Sequence, residues 1–484
     1  MHGFHALFHE NKTYSKRKNN VQINLWGDVL KTYQDLVLIG ENETNRMQFV
    51  RGCISEYKSS DGYRTAATAE RYDKFKNATI EQFQKLLYTI SGRAVPDNFS
   101  ANFKIKSNFF HTFVEQEIQF LLGNGVSWES ENVESKIGND FDHKLVELTK
   151  AALVGGVGYG FFNLDHIEVF KATEFVPLYD EENGALMAGI RFWQVSQNKP
   201  LRATLYEIDG FTDYIWNNKS DTAQAKVLQE KRAYKLKYKM SQVDGLRIYD
   251  GENYESFPII PMYGNEYKQS RLVGLREQID CYDLIKSGFA NDVDDASQIY
   301  WTIQNAGGMD DVDLAQFVER MKTVRAAVVS DDGEKAESHT VEVPYSSREA
   351  LLNRLEKDLY RDAQALDITN IANGSITATQ IKAAYEPLES LCDGLEYQVL
   401  SFIDKLLKIA QTENTATFTR SKLVNTTEEI QTIVSAATYL SEDYVTEKIM
   451  TILGDGDRVS DVLDKMTEDE AKRFGNGNNQ PVEE

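Results

Sequence analysis

Three groups of residues have the types and spacing from which chemistry is built. Gly155-Gly156-Val157-Gly158-Tyr159-Gly160 could bring backbone amides up to a phosphate. It lacks a following Gly-Lys-Ser/Thr, and no helical pattern opens after it, so it reads as a strand entered through a turn. His2, His5 and His9 are spaced to share one helical face, yet no second cluster supplies the remaining ligands of a metal site. Carboxylates gather at Asp292, Asp294 and Asp295, and again at Asp310, Asp311 and Asp313. Neither group has the glycine or the distal glutamate of an EF-hand, so both read as solvated faces or as surfaces that repel a polyanion. Cys53, Cys281 and Cys392 form no CxxC pair and no nucleophile motif, and no GxSxG occurs. The residues therefore lead to the expectation of no catalytic centre, no metal and no cofactor.

The chain that must position these groups has 484 residues, enough for about three domains. Its 41% hydrophobic and 26% charged residues are those of an ordinary globular protein. A net charge of −22 argues against adhesion to nucleic acid or an anionic membrane through the overall field. Any DNA contact is local or weak. The glycine-interrupted run Ala151 to Leu164 is too short to span a bilayer, and MHGFHALFHENKTYSKRK lacks the order of a secretory signal. These features predict a soluble protein kept inside a cell until assembly.

Apolar spacing predicts helices through Val21 to Gly123, including one started by a Thr79/Gln82 capping box and running through Ile90, and one from Ile105 that stops at Gly123. A further helix covers Phe141 to Leu153. Tyr159 to Trp216 reads as antiparallel strands broken at Asn183-Gly184 and Asp209-Gly210. The strands continue through Lys226, Lys231, Arg232, Lys235, Lys237 and Lys239, an exposed strand with one wet face, and end at the prolines of Phe257-Pro258-Ile259-Ile260-Pro261. Leu272 to Tyr300 forms one long helix. The insert that follows holds a short helix (Leu314 to Met321) and strands at Arg325 to Val329 and Thr340 to Val343 around Asp331-Asp332-Gly333. Ser347 then caps a second helix. Asp367 to Thr379 is a polar loop, and a very long helix with a kink at Pro387 runs from Gln380 to Ala410.

Several collinear stretches resemble the portal proteins of tailed bacteriophages, of the type common in phages of Gram-positive hosts. They are Phe109-Phe110-His111-Thr112-Phe113-Val114-Glu115-Gln116, Phe120-Leu121-Leu122-Gly123-Asn124, Gly158-Tyr159-Gly160-Phe161-Phe162 and Val176-Pro177-Leu178-Tyr179-Asp180. Ile190-Arg191-Phe192-Trp193, Ile259-Ile260-Pro261, Gly264-Asn265-Glu266 and Ile279-Asp280-Cys281-Tyr282-Asp283 with Ser287 continue the likeness. Asn373-Gly374-Ser375-Ile376 departs from the Ser-Gly-x-Ala type found in many relatives.

The resemblance implies an α+β, mainly helical portal fold assembled as a cyclic ring, with no enzymatic activity. It implies an N-terminal arm (1–24), a wing (25–267), a stem helix (268–304), a clip (305–345), a second stem helix (346–366), a tunnel loop (367–379), a long wing helix (380–411), a crown (412–474) and a tail (475–484). The channel residues it implies are Thr369, Asn370, Asn373, Gly374, Ser375 and Thr377, with Asp292, Asp294 and Asp295 facing the channel or its rim. Asp310, Asp311, Asp313, Asp331 and Asp332 would lie in the clip. The implied partners are further copies of the chain, a dodecamer by expectation, and double-stranded DNA in the bore. Terminase large subunit, major capsid and scaffolding proteins and the head-tail connector complete the set, with no membrane. The site of action would be the portal vertex of the virion, after assembly in the host cytoplasm. An intracellular enzyme with an unrecognised site, or an oligomeric scaffold unrelated to DNA, are the alternatives.

Overall fold

Short polar side chains start the first helices by accepting backbone amides that have no helical partner. Thr32 and Asp35 form a reciprocal capping box ahead of α1 (Tyr33–Ile39). Asn42 caps α2 (Glu43–Ser59), Ser60 caps α3 (Asp61–Asp73), and Asn77 caps α4 (Ala78–Gln82). The computed structural model describes residues 30–84, 86–88, 93–96, 102–130, 133–196, 198–217, 225–240, 247–296, 300–304, 316, 335–339, 345–367, 378–421, 426–453, 459–460 and 462–467. His2, His5 and His9 lie outside them.

The helix predicted through Ile90 ends at Gln82, and its cap is Asn77 rather than Thr79. Leu86–Tyr88 (β1) and Ala94–Pro96 (β2) pair as an antiparallel hairpin. A short apolar run satisfies either period, and here Phe83 and Leu86 are both exposed, so neither supplies a buried face to hold a longer helix. The next helix, α5 (Phe109–Leu122), stops before Gly123 as expected but starts four residues after Ile105. β3 (Val126–Trp128), α6 (Glu134–Ile137) and α7 (Phe141–Gly155) follow.

The glycine cluster does form a turn into a strand. Gly156 takes φ +86° at the end of α7, and β4 (Val157–Asn163) begins at once. A Cβ on Gly160 would lie 2.6 Å from the Phe402 ring, so glycine here lets the strand approach a helix. β4 pairs with β5 (His166–Lys171). A five-stranded antiparallel meander comes next: β6 (Phe175–Tyr179), β7 (Leu186–Trp193), β8 (Leu201–Glu207), β9 (Gly210–Trp216) and β10 (Ala225–Arg232). β11 (Lys235–Met240) and β12 (Arg247–Glu252) make a separate hairpin. The prolines do not end the strands: β13 (Ile259–Tyr263) contains Pro261 and pairs with β4 at the edge of the β13-β4-β5 sheet. An edge strand tolerates the missing N–H.

The long helix predicted from Leu272 is shorter. α8 (Arg276–Ala296) starts four residues later, and Tyr300 opens a strand, β14 (Tyr300–Gln304), paired with β15 (Lys335–His339). The aromatic and β-branched run Tyr300-Trp301-Thr302-Ile303 fits a pleated ladder better than a helix end. The strands predicted at Arg325 to Val329 and Thr340 to Val343 lie outside the described residues, as does most of the helix at Leu314 to Met321. α9 (Tyr345–Asp362) begins before Ser347, which is therefore not its cap. α10 (Ala378–Ile409) runs through Pro387. β16 (Ala416–Phe418), which the sequence did not signal, pairs back onto β3. α11 (Thr426–Ala436), a 3-10 turn (Ala437–Tyr439) and α12 (Glu442–Leu453) follow.

Two main cores result. Ile118, Leu148, Phe170, Ile279, Leu395 and Phe402 join α5, α7, the β13-β4-β5 sheet, α8 and α10 in one cluster. Val50, Ile54, Ile190, Leu205 and Trp216 pack α2 onto the meander in the other.

Candidate functional site

One face of α8 is polar and buried. Asp283, Ser287 and Asn291 recur at every fourth residue and are at most 3% exposed. They hold the extended segment 103–107. Phe103 N donates to Asn291 Oδ1 at 2.6 Å, Ile105 N to Ser287 Oγ at 2.9 Å and Ser107 N to Asp283 Oδ1 at 2.9 Å. Ser287 Oγ returns a bond to Ile105 O at 3.2 Å. Four helical residues rise about 6 Å and two extended residues about 6.6 Å, so the two repeats keep step and the helix side chains replace a neighbouring strand.

The same face of α8 also binds α3 and α4. Asn77 Nδ2 donates to Asp283 Oδ2 at 2.9 Å, Thr79 Oγ1 donates to Asp280 Oδ2 at 2.8 Å, and the Tyr72 hydroxyl also donates to Asp280. Burial raises the Asp283 carboxyl above its ordinary range, against the pull of the Ser107 and Asn77 donors. Burial and the bond to Asp280 push the Tyr72 hydroxyl up to about 12.

α9 lies antiparallel on α8. Gln278 Nε2 donates to Asp362 Oδ2 at 2.7 Å at one end, while Arg348 pairs with Asp292 and Tyr345 meets Phe289 edge-on at 5.6 Å at the other. Leu359 is fully buried, and Tyr360 packs edge-on against Phe113 at 5.2 Å. The two helices therefore bring the ends of the insert side by side, where β14 and β15 close it.

The segment that links α9 to α10 is held firmly at both roots. Gln116 of α5 bonds Leu366 in both directions, Nε2 to the carbonyl at 3.0 Å and the Leu366 amide to Oε1 at 2.8 Å. On the α10 side Tyr385 stacks on Phe120 at 5.6 Å, and Leu366, Leu388 and Cys392 complete a small core. Beside it Arg271 forks onto the buried Glu117, Nη2 to Oε1 at 2.6 Å and Nε to Oε2 at 3.1 Å.

Thr369, Asn370, Asn373, Gly374, Ser375 and Thr377 lie in that link, outside the described residues, as do Asp310, Asp311, Asp313, Asp331 and Asp332. Asp292, Asp294 and Asp295 fall on the last turns of α8. Asp292 is neutralised by Arg348, a pairing the sequence did not show, whereas Asp294 is exposed. The buried stripe on α8, Gln116 and Arg348 are groups whose positioning role the sequence did not show, although Gln116, Asp283 and Ser287 lie in the stretches that carry the family likeness. Small polar residues at intervals of four were the available signal for the stripe. Among the described residues no group of three or more His, Cys, Asp or Glu could hold a metal ion, and no helix is long and apolar enough to cross a membrane.

The described residues thus set an antiparallel helix pair on an α+β frame, with the chain after Leu366 anchored to α5. The chain belongs to the phage portal protein family described as SPP1 Gp6-like, whose model matches residues 67–472. It is similar to the portal protein of Clostridium phage phiCD119, 25% identical over 335 residues, covering 64% of this chain and 71% of that protein. It is also similar to the portal protein of Bacillus phage SPP1, 24% identical over 403 residues, covering 74% and 75%. A chain from the neck of a native gene transfer agent particle matches with a TM-score of 0.40 at 10% identity, over 70% of this chain and 89% of that one. So distant a likeness adds nothing to the assignment. The role that goes with the family is that of a phage portal.

Proposed function

We propose that copies of this chain close into a cyclic ring, a dodecamer in the virion, at one capsid vertex, and that double-stranded DNA enters and leaves through its axis. The observation that supports this most directly, beside the family, is the antiparallel pair α8 and α9 with Leu366 bonded to Gln116 in both directions at the root of the linking segment. In this reading residues 268–304 and 346–366 are the stem, 367–379 the tunnel loop, 305–345 the clip, 25–267 and 380–411 the wing, and 412–474 the crown. Thr369, Asn370, Asn373, Ser375 and Thr377 would touch DNA through uncharged hydrogen-bonding groups, which allows sliding. Asp292, Asp294 and Asp295 would face the channel or its rim and repel phosphate, Asp292 less strongly because Arg348 pairs with it. The clip acids Asp310, Asp311, Asp313, Asp331 and Asp332 would meet the terminase large subunit and later the head-tail connector, while the wing meets capsid and scaffolding proteins. The role is structural rather than catalytic, and assembly takes place in the host cytoplasm.

Electron microscopy of the purified protein tests the ring directly, and native mass spectrometry gives its copy number. A symmetric ring with an axial hole is the expected outcome, and a strict monomer at micromolar concentration would overturn the reading. Within such rings a cysteine placed at Asn373, with the native cysteines removed, should become protected from thiol reagents when DNA fills the bore. Equal labelling with and without DNA would remove the loop from the channel.

A further inference from the structure

α9 has two faces. Leu352, Leu355, Leu359 and Ala363 pack inward. At 100° per residue, Arg354, Lys357 and Arg361 fall within one arc on the opposite side, with Ala350 between their directions. The side chains of Arg354 and Arg361 are 81% and 69% exposed, and Lys357 is exposed. In a chain of net charge −22 this cationic stripe runs against the overall composition.

The stripe is only partly neutralised. Arg361 reaches Asp358 at 2.8 Å and Asp362 at 3.1 Å, and Arg354 reaches Asp358 at 3.9 Å, whereas Lys357 has no ion pair among the described residues. Exposed pairs of this kind are weak and give way to a competing anion. At its C-terminal end the stripe opens into a cleft of about 250 Å³ lined by Lys357, Tyr360, Arg361, Asp367 and Pro387. Asp367 is where the candidate tunnel loop begins.

We infer that the outer face of α9, through Arg354, Lys357 and Arg361, is a contact site for the phosphodiester backbone of double-stranded DNA in the channel. This rests on the portal reading: if the loop from Asp367 lines the bore, the helix turns that lead into it border the same space. Cations half-cancelled by Asp358 and Asp362 hold a phosphate briefly and release it, and repeated around a ring they give many weak contacts instead of one strong grip.

The test uses assembled rings of the full chain and a fluorescent linear duplex, with a closed circular duplex as the control that cannot thread. Arg354→Gln, Lys357→Gln and Arg361→Gln together should leave the ring mass unchanged, lower affinity for the linear duplex by about tenfold or more at low salt, and flatten the dependence of affinity on salt. Glu349→Gln on the same helix serves as a second control and should not weaken binding. Undiminished binding by the triple variant overturns the inference, and so does loss of the ring, which would make the stripe a contact between subunits. Absence of any ring from the parent chain overturns the portal reading itself, and this inference with it.

Discussion

The backbone N–H of Ser107 donates to Asp283 Oδ1 at 2.9 Å, and among the described residues that carboxylate has no ion pair to balance its burial. Its other oxygen takes the Asn77 amide, and Asp280 adds like charge nearby. An extended segment of chain thus depends on one buried acid, one serine and one asparagine for its place on α8.

Burial raises the Asp283 carboxyl above its ordinary 3.8, so the folded state holds more proton than the unfolded state between those two values. Stability from this group is greatest at acid pH and falls as pH rises through the raised value. Asp283→Asn removes that slope. It also turns an NH2 toward Asn77 Nδ2, and Asn77 Oδ1 is already committed to the amides of Thr79 and Ile80. The buried unpaired donor should cost about 1–3 kcal/mol. Urea unfolding across a pH series reads both effects, and an unchanged slope with an unchanged midpoint would exclude this account.

Gly160→Ala would place a methyl group in the Phe402 ring, because the added Cβ lies 2.6 Å from it and Phe402 is buried. We expect a loss of about 1–3 kcal/mol from overpacking, part of it recovered by Phe402→Leu. A double-mutant cycle by thermal unfolding measures the coupling. Additive effects would mean that the strand can move away from the helix.

Glu117→Ala should be among the most damaging single changes, by about 3 kcal/mol, because it leaves the guanidinium of Arg271 half-buried without its fork. Replacing both residues with methionine should be milder than Glu117→Ala alone. Melting temperatures of the three variants decide it, and a double variant worse than the single one would show that the pair is needed for more than mutual neutralisation.

Burial pushes the thiols of Cys53 and Cys392 up to about 12, while Cys281 is exposed on α8. At neutral pH a thiol reagent should modify Cys281 and spare the other two. Peptide mapping after brief labelling checks this. Comparable modification of Cys53 or Cys392 would show that their cores open on the labelling timescale.

What the sequence disclosed follows from period and distance. α5, α7 and α10 repeat their apolar residues over three turns or more, and the strands from β4 to β9 are aromatic and β-branched runs set between marked turns, so local pattern sufficed. The β1–β2 hairpin was hidden because its apolar run is too short to carry a period. Tyr300 was assigned to the wrong element because its spacing from Ala296 also suits a helix. Asp283 and Ser287 stood in the sequence only as part of a family likeness, and Asn291 not at all, for a different reason: apolar periodicity does not register a polar face, and the amides they bind lie 176 to 188 residues away. Asp292 looked like one of three equivalent acids until α9 returned Arg348 to its side.

The chain departs at Gln304 and comes back at Lys335, and these two residues are direct partners in the ladder. Neighbouring strands lie about 4.8 Å apart, so the chain leaves and rejoins the described frame at one narrow neck. A change in length between Gln304 and Lys335 leaves that closure point unaltered so long as the pair itself is kept. Sequence drift in that stretch is therefore insulated from the register of α8 and α9, which the ladder fixes by backbone hydrogen bonds rather than by the side chains between.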